Sequence, residues 1–336
     1  MRSKVFQLMV LAATMVLFVN GCQKGSRTSH SPLTLAETRA SAEQGGAAAQ
    51  YNMGWFYEHG KGVPQDYATA VIWYRKAAEQ GHAMAQCNLG VCYATGRGVP
   101  RDDAMAAALY RKSADQGFAR AQGNLAFFFL TGLSVPKNEQ EAVRWYRKSA
   151  EQGDVGSQFS LAALCETGQG IAKDLAEAAK WYRQAADQGD AAAQTSLGDF
   201  YRTGQGVPKD LTEAAKWYRK AAEQGYAEAQ YMLGFLLGLG QGVMQDLVEA
   251  ASWYGKAAEQ GNADAQFQLG NCYANGKGIA TDFVAAYLWL DLAATAGNQG
   301  AEQRREFIAV GMTRESIAKA QQLGREWNRR KVAAAP

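Results

Sequence analysis

Residues 190–225 read DAAAQTSLGDFYRTGQGVPKDLTEAAKWYRKAAEQG, and close copies of this stretch fill most of the chain. Each copy ends at a glycine, and these glycines lie 36 residues apart with no insertion or deletion between them. They are Gly45, Gly81, Gly117, Gly153, Gly189, Gly225, Gly261 and Gly297. The eight glycines delimit seven copies over residues 46–297. A fixed period of this length predicts a solenoid in which each copy stacks on its neighbours.

Every copy divides into two predicted helices. The first half, helix A, has the pattern Ala-x-Ala-Gln-x-x-Leu-Gly-x-x-Tyr, with its apolar residues at helical spacing. A Gly-x-Gly turn follows, except in the third copy, where Ser134 replaces the second glycine. Helix B then begins after an Asp or Asn, because these side chains accept the free N–H groups of a first helical turn. The predicted N-caps are Asp66, Asp102, Asn138, Asp174, Asp210, Asp246 and Asp282.

Five copies carry a glycine inside helix A, where it costs about 1 kcal/mol in helix propensity. Such a cost is tolerable only if the missing side chain lets another helix approach closely. The five are Gly54, Gly90, Gly198, Gly234 and Gly270. The other two copies have Ala126 and Ala162 at the equivalent position; we call such a set of equivalent positions, 36 residues apart, a column.

The phrases Ala-x-Ala-Gln-x-x-Leu-Gly, Gly-x-Gly-Val-x-x-Asp and Trp-Tyr-x-x-Ala-Ala-x-x-Gly resemble those of the Sel1-like repeat family, relatives of the tetratricopeptide repeat. The resemblance implies an all-α fold, a right-handed superhelical solenoid of helix-turn-helix repeats (an α/α superhelix). Residues 33–45 are predicted to form an N-terminal partial repeat helix. Residues 298–336 are predicted to form C-terminal capping helices and a basic tail, with Thr313 as an N-cap.

The first 32 residues indicate a leader and a tether. Residues 1–21 combine a basic start with an apolar stretch that is typical of a secretory signal and too short to span a bilayer comfortably. The sequence from Val19 to Cys22 resembles a bacterial lipobox, which implies that Cys22 carries the lipid; an ordinary signal peptide is the alternative. By the same resemblance, Gln23 favours the outer membrane, on its periplasmic side or displayed at the surface. Residues 22–32 are polar and are expected to form a flexible tether.

Charge and cysteine spacing argue against several classes of function. The 35 basic and 32 acidic residues leave a net charge of +3, too little for a broad nucleic-acid-binding field. The spacing of the cysteines after the leader fits neither a zinc site nor a disulfide framework, so free and mostly buried thiols are expected. These are Cys87, Cys92, Cys165 and Cys272. We therefore expect no metal and no cofactor.

One phrase, Ser134 to Lys137, has the Ser-x-x-Lys spelling of serine β-lactamases. That chemistry needs both residues on successive turns of one helix, whereas Pro136 places this phrase in a turn. We interpret the match as chance. The tryptophan column of helix B is interpreted as packing between copies, and its Arg-Lys row as a solvated face.

Helix A offers a different kind of surface. Its variable columns lie three, four and seven residues apart, hence on one face, which lines the concave surface in related solenoids. Aromatic and amide side chains together are typical of protein or peptide recognition. The predicted partner-binding residues are Tyr51, Asn52, Trp55, Asn88, Val91, Asn124, Phe127, Asp199, Tyr231, Met232, Phe235 and Asn271. Two alternatives stay open: the aromatics pack against neighbouring helices, and the asparagines form a ladder within the groove.

The sequence thus predicts a non-enzymatic protein–protein interaction scaffold or adaptor, lipid-anchored in the bacterial cell envelope, with a protein or peptide on its concave helix-A face. Its expected contacts are that partner and, through the anchor, a membrane, with no nucleic acid and no small-molecule cofactor. The alternative is a cell-wall-directed or β-lactam-directed enzyme or a peptidoglycan-binding protein. Such an enzyme would need a nucleophile and a base on one surface.

Overall fold

The computed structural model describes residues 34–333. The predicted signal peptide (1–21), the lipidation site Cys22 and the tether (22–32) lie outside the described residues. Between residues 34 and 333 the chain forms 17 helices and no strand, which confirms the all-α prediction. In this part of the chain, no helix has the length and apolar character needed to cross a membrane.

The helices alternate between A and B types after a first helix, α1 (Leu35–Glu43). The A helices are α2 (Ala47–His59), α4 (Ala83–Thr95), α6 (Ala119–Thr131), α8 (Val155–Thr167), α10 (Ala191–Thr203), α12 (Ala227–Leu239) and α14 (Ala263–Asn275). The B helices are α3 (Tyr67–Glu79), α5 (Asp103–Asp115), α7 (Glu139–Glu151), α9 (Leu175–Asp187), α11 (Leu211–Glu223), α13 (Leu247–Glu259) and α15 (Phe283–Thr295). Two further helices follow, α16 (Gln299–Ala309) and α17 (Arg314–Ala333).

Helix pairs pack in tandem, as a solenoid requires. An A helix packs most extensively on the B helix of its own copy, as α2 does on α3, and less extensively on the B helix before it. This arrangement is repeated in each of two compact units, residues 34–185 and 186–333.

The helix ends lie where the turn residues predict them. The Asp66 carboxylate accepts hydrogen bonds from the N–H groups of Ala68 (2.9 Å) and Thr69 (3.2 Å), as an N-cap of α3. At the other side of the turn, Gly60 ends α2 in the left-handed conformation with φ of 63°. In the third copy the chain makes the same turn with Ser134 at φ of 56°, the one positive φ outside glycine among residues 34–333. The turn geometry therefore persists where the sequence departs from its own repeat.

Four of the five glycines inside helix A lie against a buried tyrosine of helix B, and the fifth, Gly270, lies against Leu290. A Cβ added at Gly54 would lie 2.5 Å from the ring of Tyr74, and one at Gly198 would lie 2.6 Å from the ring of Tyr218. Both rings are fully buried. The expected close approach of the two helices is confirmed, and the glycine-tyrosine contact lies in the core of the first, second, fifth and sixth copies.

Paired glutamines join the two helices of one copy, and the first glutamine of each pair also donates to a carbonyl of the preceding helix; the sequence patterns did not indicate this role. The Gln86 amide donates to the carbonyl of Ala78 (3.2 Å), and its Oε1 accepts a hydrogen bond from Nε2 of Gln116 (2.7 Å), 30 residues later. The same pairing joins Gln50 to Gln80, Gln122 to Gln152, Gln194 to Gln224 and Gln230 to Gln260, at 2.7 to 2.8 Å. In the last copy, Ala296 stands in the donor column. Oε1 of Gln266 is consequently buried with no hydrogen-bond partner in the described part of the chain.

The two ends of the described chain carry their own capping helices. Thr34 and Glu37 form a reciprocal capping box at the start of α1. At the other end, Thr313 Oγ1 accepts a hydrogen bond from the Ser316 N–H (3.1 Å) and begins α17. This helix packs on α15, where the Trp327 ring lies 6.3 Å from the Trp289 ring. The apolar side of the last copy is thereby covered.

Candidate functional site

Five of the twelve predicted partner-binding residues are buried. Asn88, Val91, Asn124, Phe127 and Met232 are each 9% exposed or less. The expectation that they face a partner does not hold, and the alternative of packing inside the helices applies to them. The physical reason is that the helices on both sides pack against these five side chains and cover them.

The asparagine row is largely an internal feature. Nδ2 of Asn88 donates to the hydroxyl of Tyr74 (3.2 Å), and Nδ2 of Asn124 lies 3.8 Å from Sγ of Cys87 in the preceding copy. Only Asn52, in the first copy, is exposed. The side-chain amides of the second and third copies therefore stabilise the solenoid itself, and Asn52 alone of the three is accessible to a partner.

The first copy presents an open group of aromatic and polar side chains, which we call the N-terminal patch: Tyr51, Asn52, Trp55 and His59. Trp55 and Tyr51 are partly exposed, while Asn52 and His59 are exposed. The His59 ring stacks on Trp55 with centroids 4.5 Å apart, and its Nδ1 lies 2.9 Å from the Trp55 carbonyl oxygen. Tyr51 stacks on His82 at 5.0 Å. These contacts hold the rings in fixed orientations, so a partner would meet a surface that is already ordered.

His82 also shows why this edge is ordered. Its Nδ1 accepts a hydrogen bond from the Ala85 N–H (3.3 Å) and so caps α4. Burial lowers the pKa of His82, which keeps the ring neutral and able to accept. The stacking partner of Tyr51 is thus a structural residue.

The second unit has a smaller group, the C-terminal patch: Tyr231, Phe235 and Leu239 on α12. Tyr231 and Phe235 are partly exposed with ring centroids 6.4 Å apart, and Leu239 is 52% exposed one turn further on. The three side chains lie four residues apart and hence on one face of the helix. Leu239 was not among the predicted residues, although its spacing from Phe235 is the signal that would have found it.

Two further predicted residues are engaged within the chain. Oδ1 of Asp199 accepts hydrogen bonds from the Tyr218 hydroxyl (2.9 Å) and from Arg202 (2.7 Å), so it closes the core of its own copy. Oδ1 of Asn271 accepts a hydrogen bond from Nε of Arg304 (3.1 Å) and ties α14 to α16. Neither side chain is arranged primarily for a partner.

The reactive side chains considered in the sequence are four cysteines and the Ser-x-x-Lys phrase from Ser134 to Lys137. Cys87, Cys92 and Cys165 are free and buried, and Cys272 is partly buried. Burial raises the pKa of Cys92 to about 12 and that of Cys165 to about 11, so these thiols are protonated at neutral pH. Ser134 lies in the turn between α6 and α7, where Lys137 pairs with Glu139 at 2.8 Å. The Ser-x-x-Lys phrase therefore lacks the helical geometry of the β-lactamase motif.

The basic row of helix B does more than face solvent. Arg147 pairs with Glu177 (2.5 Å) and Arg219 pairs with Glu249 (2.6 Å), in each case 30 residues along the chain and in the next copy. Hydrogen bonding to the guanidinium lowers the pKa of both glutamates. From the sequence the row is interpreted as a solvated face, whereas these two arginines bridge neighbouring copies.

Seven consecutive segments match the Sel1 repeat family, over residues 47–82, 83–118, 119–154, 155–190, 191–226, 227–262 and 263–298. The chain belongs to the Sel1-repeat family. Among solved structures, the Sel1 repeat protein from Oxalobacter formigenes is 38% identical, with 82% of this chain and 79% of that chain covered and a TM-score of 0.64. The similarity extends from the repeat phrases to the stacking of helix pairs.

A second solved structure is c5321, a protective antigen present in uropathogenic Escherichia coli strains that displays an SLR fold. It is 30% identical, with 87% of this chain and 86% of that chain covered and a TM-score of 0.51. No curated protein matches the chain significantly. Sel1-repeat proteins generally mediate protein–protein interaction.

Proposed function

We propose that this Sel1-repeat protein is a non-enzymatic scaffold or adaptor of the bacterial cell envelope, anchored through a lipid on Cys22, that holds a protein or peptide against its helix-A surface. One observation supports this choice of binding surface. Val91 and Phe127, which are equivalent to Trp55 in the next two copies, are buried. Trp55 itself is partly exposed in the first copy and lies beside the exposed amide of Asn52.

The N-terminal patch has the chemistry of a recognition surface. Trp55 and Tyr51 supply large, rigid contact area, and aromatic residues are over-represented among the few side chains that dominate binding energy. Asn52 adds an adaptable hydrogen-bonding group beside them. The C-terminal patch supplies a second, more apolar contact in the other unit. The proposal assigns partner contacts to Tyr51, Asn52, Trp55, Tyr231 and Phe235.

Crosslinking and affinity capture from intact cells test the binding surface. The double variant Trp55→Ala and Phe235→Ala should lose a partner that the parent protein captures, while its thermal melt stays within a few degrees of the parent. The matched control is Ile72→Ala on helix B, which truncates a side chain that is 53% exposed and should leave capture intact. Equal capture by the parent and the double variant would refute the helix-A surface.

The anchor needs a separate experiment because it is independent of the binding surface. Metabolic labelling with a fatty-acid probe should tag the parent protein, and Cys22→Ala should remove the label and release the protein from the membrane fraction. Label that persists on the Cys22→Ala variant would show that the anchor is elsewhere. A soluble parent protein without label would favour the ordinary signal peptide.

A further inference from the structure

One column of helix B changes its chemistry in the sixth copy. It holds Arg75, Arg111, Arg147, Arg183 and Arg219 in the first five copies, then Gly255 and Asp291. Four of these arginines, Arg75, Arg111, Arg147 and Arg219, contact the next copy. Nη2 of Arg75 donates to the Tyr93 hydroxyl (3.1 Å), 18 residues along the chain.

In the second copy, the equivalent arginine, Arg111, contacts two aromatic rings of the next copy. The Arg111 guanidinium lies 5.1 Å from the ring centroid of Phe129 and 5.5 Å from that of Trp145, which are 18 and 34 residues along the chain. Planar cations stack well on such rings. In the second copy, a guanidinium therefore lies near two aromatic side chains of the following copy.

In the sixth copy the aromatic side chains are kept and the arginine is missing. Tyr273 and Trp289 stand 18 and 34 residues after Gly255. A Cβ added at Gly255 would meet no atom within 4 Å, so a side chain could begin at this position without a clash. Around it lies a cavity of about 390 Å³, whose lining includes Tyr273, Trp289, Leu269 and Glu259.

The charge of this cavity, which we call the Gly255 pocket, favours a cation. Glu259 is the one charged residue in its lining. One oxygen of that carboxylate accepts a hydrogen bond from Nε1 of Trp327 (3.1 Å), and none of the ion pairs among residues 34–333 involves Glu259. The ammonium of Lys331 on α17 donates to the carbonyl of Gln260 (2.5 Å) and lies 5.0 Å from the centroid of the Trp327 ring. The nearest lysine in sequence, Lys256, lies over the ring of Trp253 instead, 3.9 Å from its centroid. A guanidinium in the pocket would meet aromatic rings and a carboxylate together.

We infer that the Gly255 pocket binds the guanidinium group of an arginine side chain from a partner protein. The partner supplies in the sixth copy what the chain itself supplies at Arg75 and Arg111. The inference rests on the proposed function in that the ligand belongs to a protein. It concerns a different surface, on helices α13, α14 and α15, and can hold or fail independently of the N-terminal and C-terminal patches.

The test is a titration of the purified full chain with Nα-acetyl-arginine amide, followed by the indole N–H signals in NMR spectra. The Trp289 signal, assigned with Trp289→Phe, should shift and saturate with a Kd on the order of 1 mM, as suits one side chain. Nα-acetyl-citrulline amide has nearly the same shape without the charge and should bind at least about five-fold more weakly. Norleucine amide that binds as well as the arginine probe would overturn the inference in favour of an apolar occupant.

Two substitutions at one position give the matched pair. Gly255→Arg fills the pocket with the chain's own guanidinium and should abolish the shift while raising the melting temperature. Gly255→Ala adds a Cβ into open space and should keep the binding. Arginine binding that survives Gly255→Arg would place the site elsewhere, and binding unaffected by Trp55→Ala with Phe235→Ala would confirm that the two surfaces act separately.

Discussion

The unsatisfied Oε1 of Gln266 in the last copy allows a sharp test of what joins the two helices of a copy. Ala296 occupies the column that holds Gln80, Gln116 and Gln224 in other copies. The backbone at Ala296 has φ of −81° and ψ of 2°, close to the −83° and 5° of Gln80. A glutamine placed at 296 should therefore extend its amide to Oε1 of Gln266, as Gln80 does to Gln50 over 2.7 Å.

The expected gain follows from the hydrogen bond. A buried acceptor without a partner costs about 1–3 kcal/mol, and a new hydrogen bond contributes about 0.5–1.5 kcal/mol net. Ordering a glutamine side chain opposes this by up to about 1.5–2 kcal/mol. We expect Ala296→Gln to raise the free energy of unfolding by about 1 kcal/mol.

The assay is urea unfolding of the purified protein, with hydrogen exchange of α14 and α15 as the local readout. The control is Ala296→Glu, which has nearly the same shape but accepts hydrogen bonds and does not donate when ionised. At neutral pH that variant should bring no gain, and it should place a carboxylate near Gln266 Oε1. Equal stability of the glutamine and glutamate variants, or no gain from glutamine, would refute the role given to the paired amides.

Three further outcomes are expected. Phe127→Ala should lower the free energy of unfolding by about 3–5 kcal/mol, because it empties a buried site, and a urea midpoint equal to that of the parent would contradict the burial. In native protein, Cys92 and Cys165 should react with an aromatic disulfide reagent far more slowly than in urea, because burial raises the pKa of both thiols. The lowered pKa values of Glu177 and Glu249 mean that their contribution to stability is full above the unfolded pKa and declines as pH falls below about 4. Changing both residues to glutamine should flatten the acid limb of a stability–pH curve, and an unchanged limb would show that the ion pairs contribute little.

The patches illustrate why exposure was harder to predict than fold. Trp55, Val91 and Phe127 share one column of helix A, and the sequence treats them alike. Trp55 is partly exposed, while the other two are buried. Burial of a side chain depends on what the copies on both sides place against it, and in the described part of the chain the first copy is preceded by the single helix α1. A pattern that repeats in sequence therefore does not repeat in accessibility.

The sequence by itself determined the period, the helix ends and the family of this protein, because these depend on local chemistry. Asp66 caps a helix wherever free N–H groups follow it, and the Gly-x-Gly turn stops a helix wherever it occurs. Only the tertiary structure decided which side chains meet between helices, both within a copy and across copies. The reach of Gln116 to Gln86, and the vacancy beside Gly255, depend on distances between residues 18 to 34 positions apart. Those distances are set by how helices stack, which no local pattern specifies.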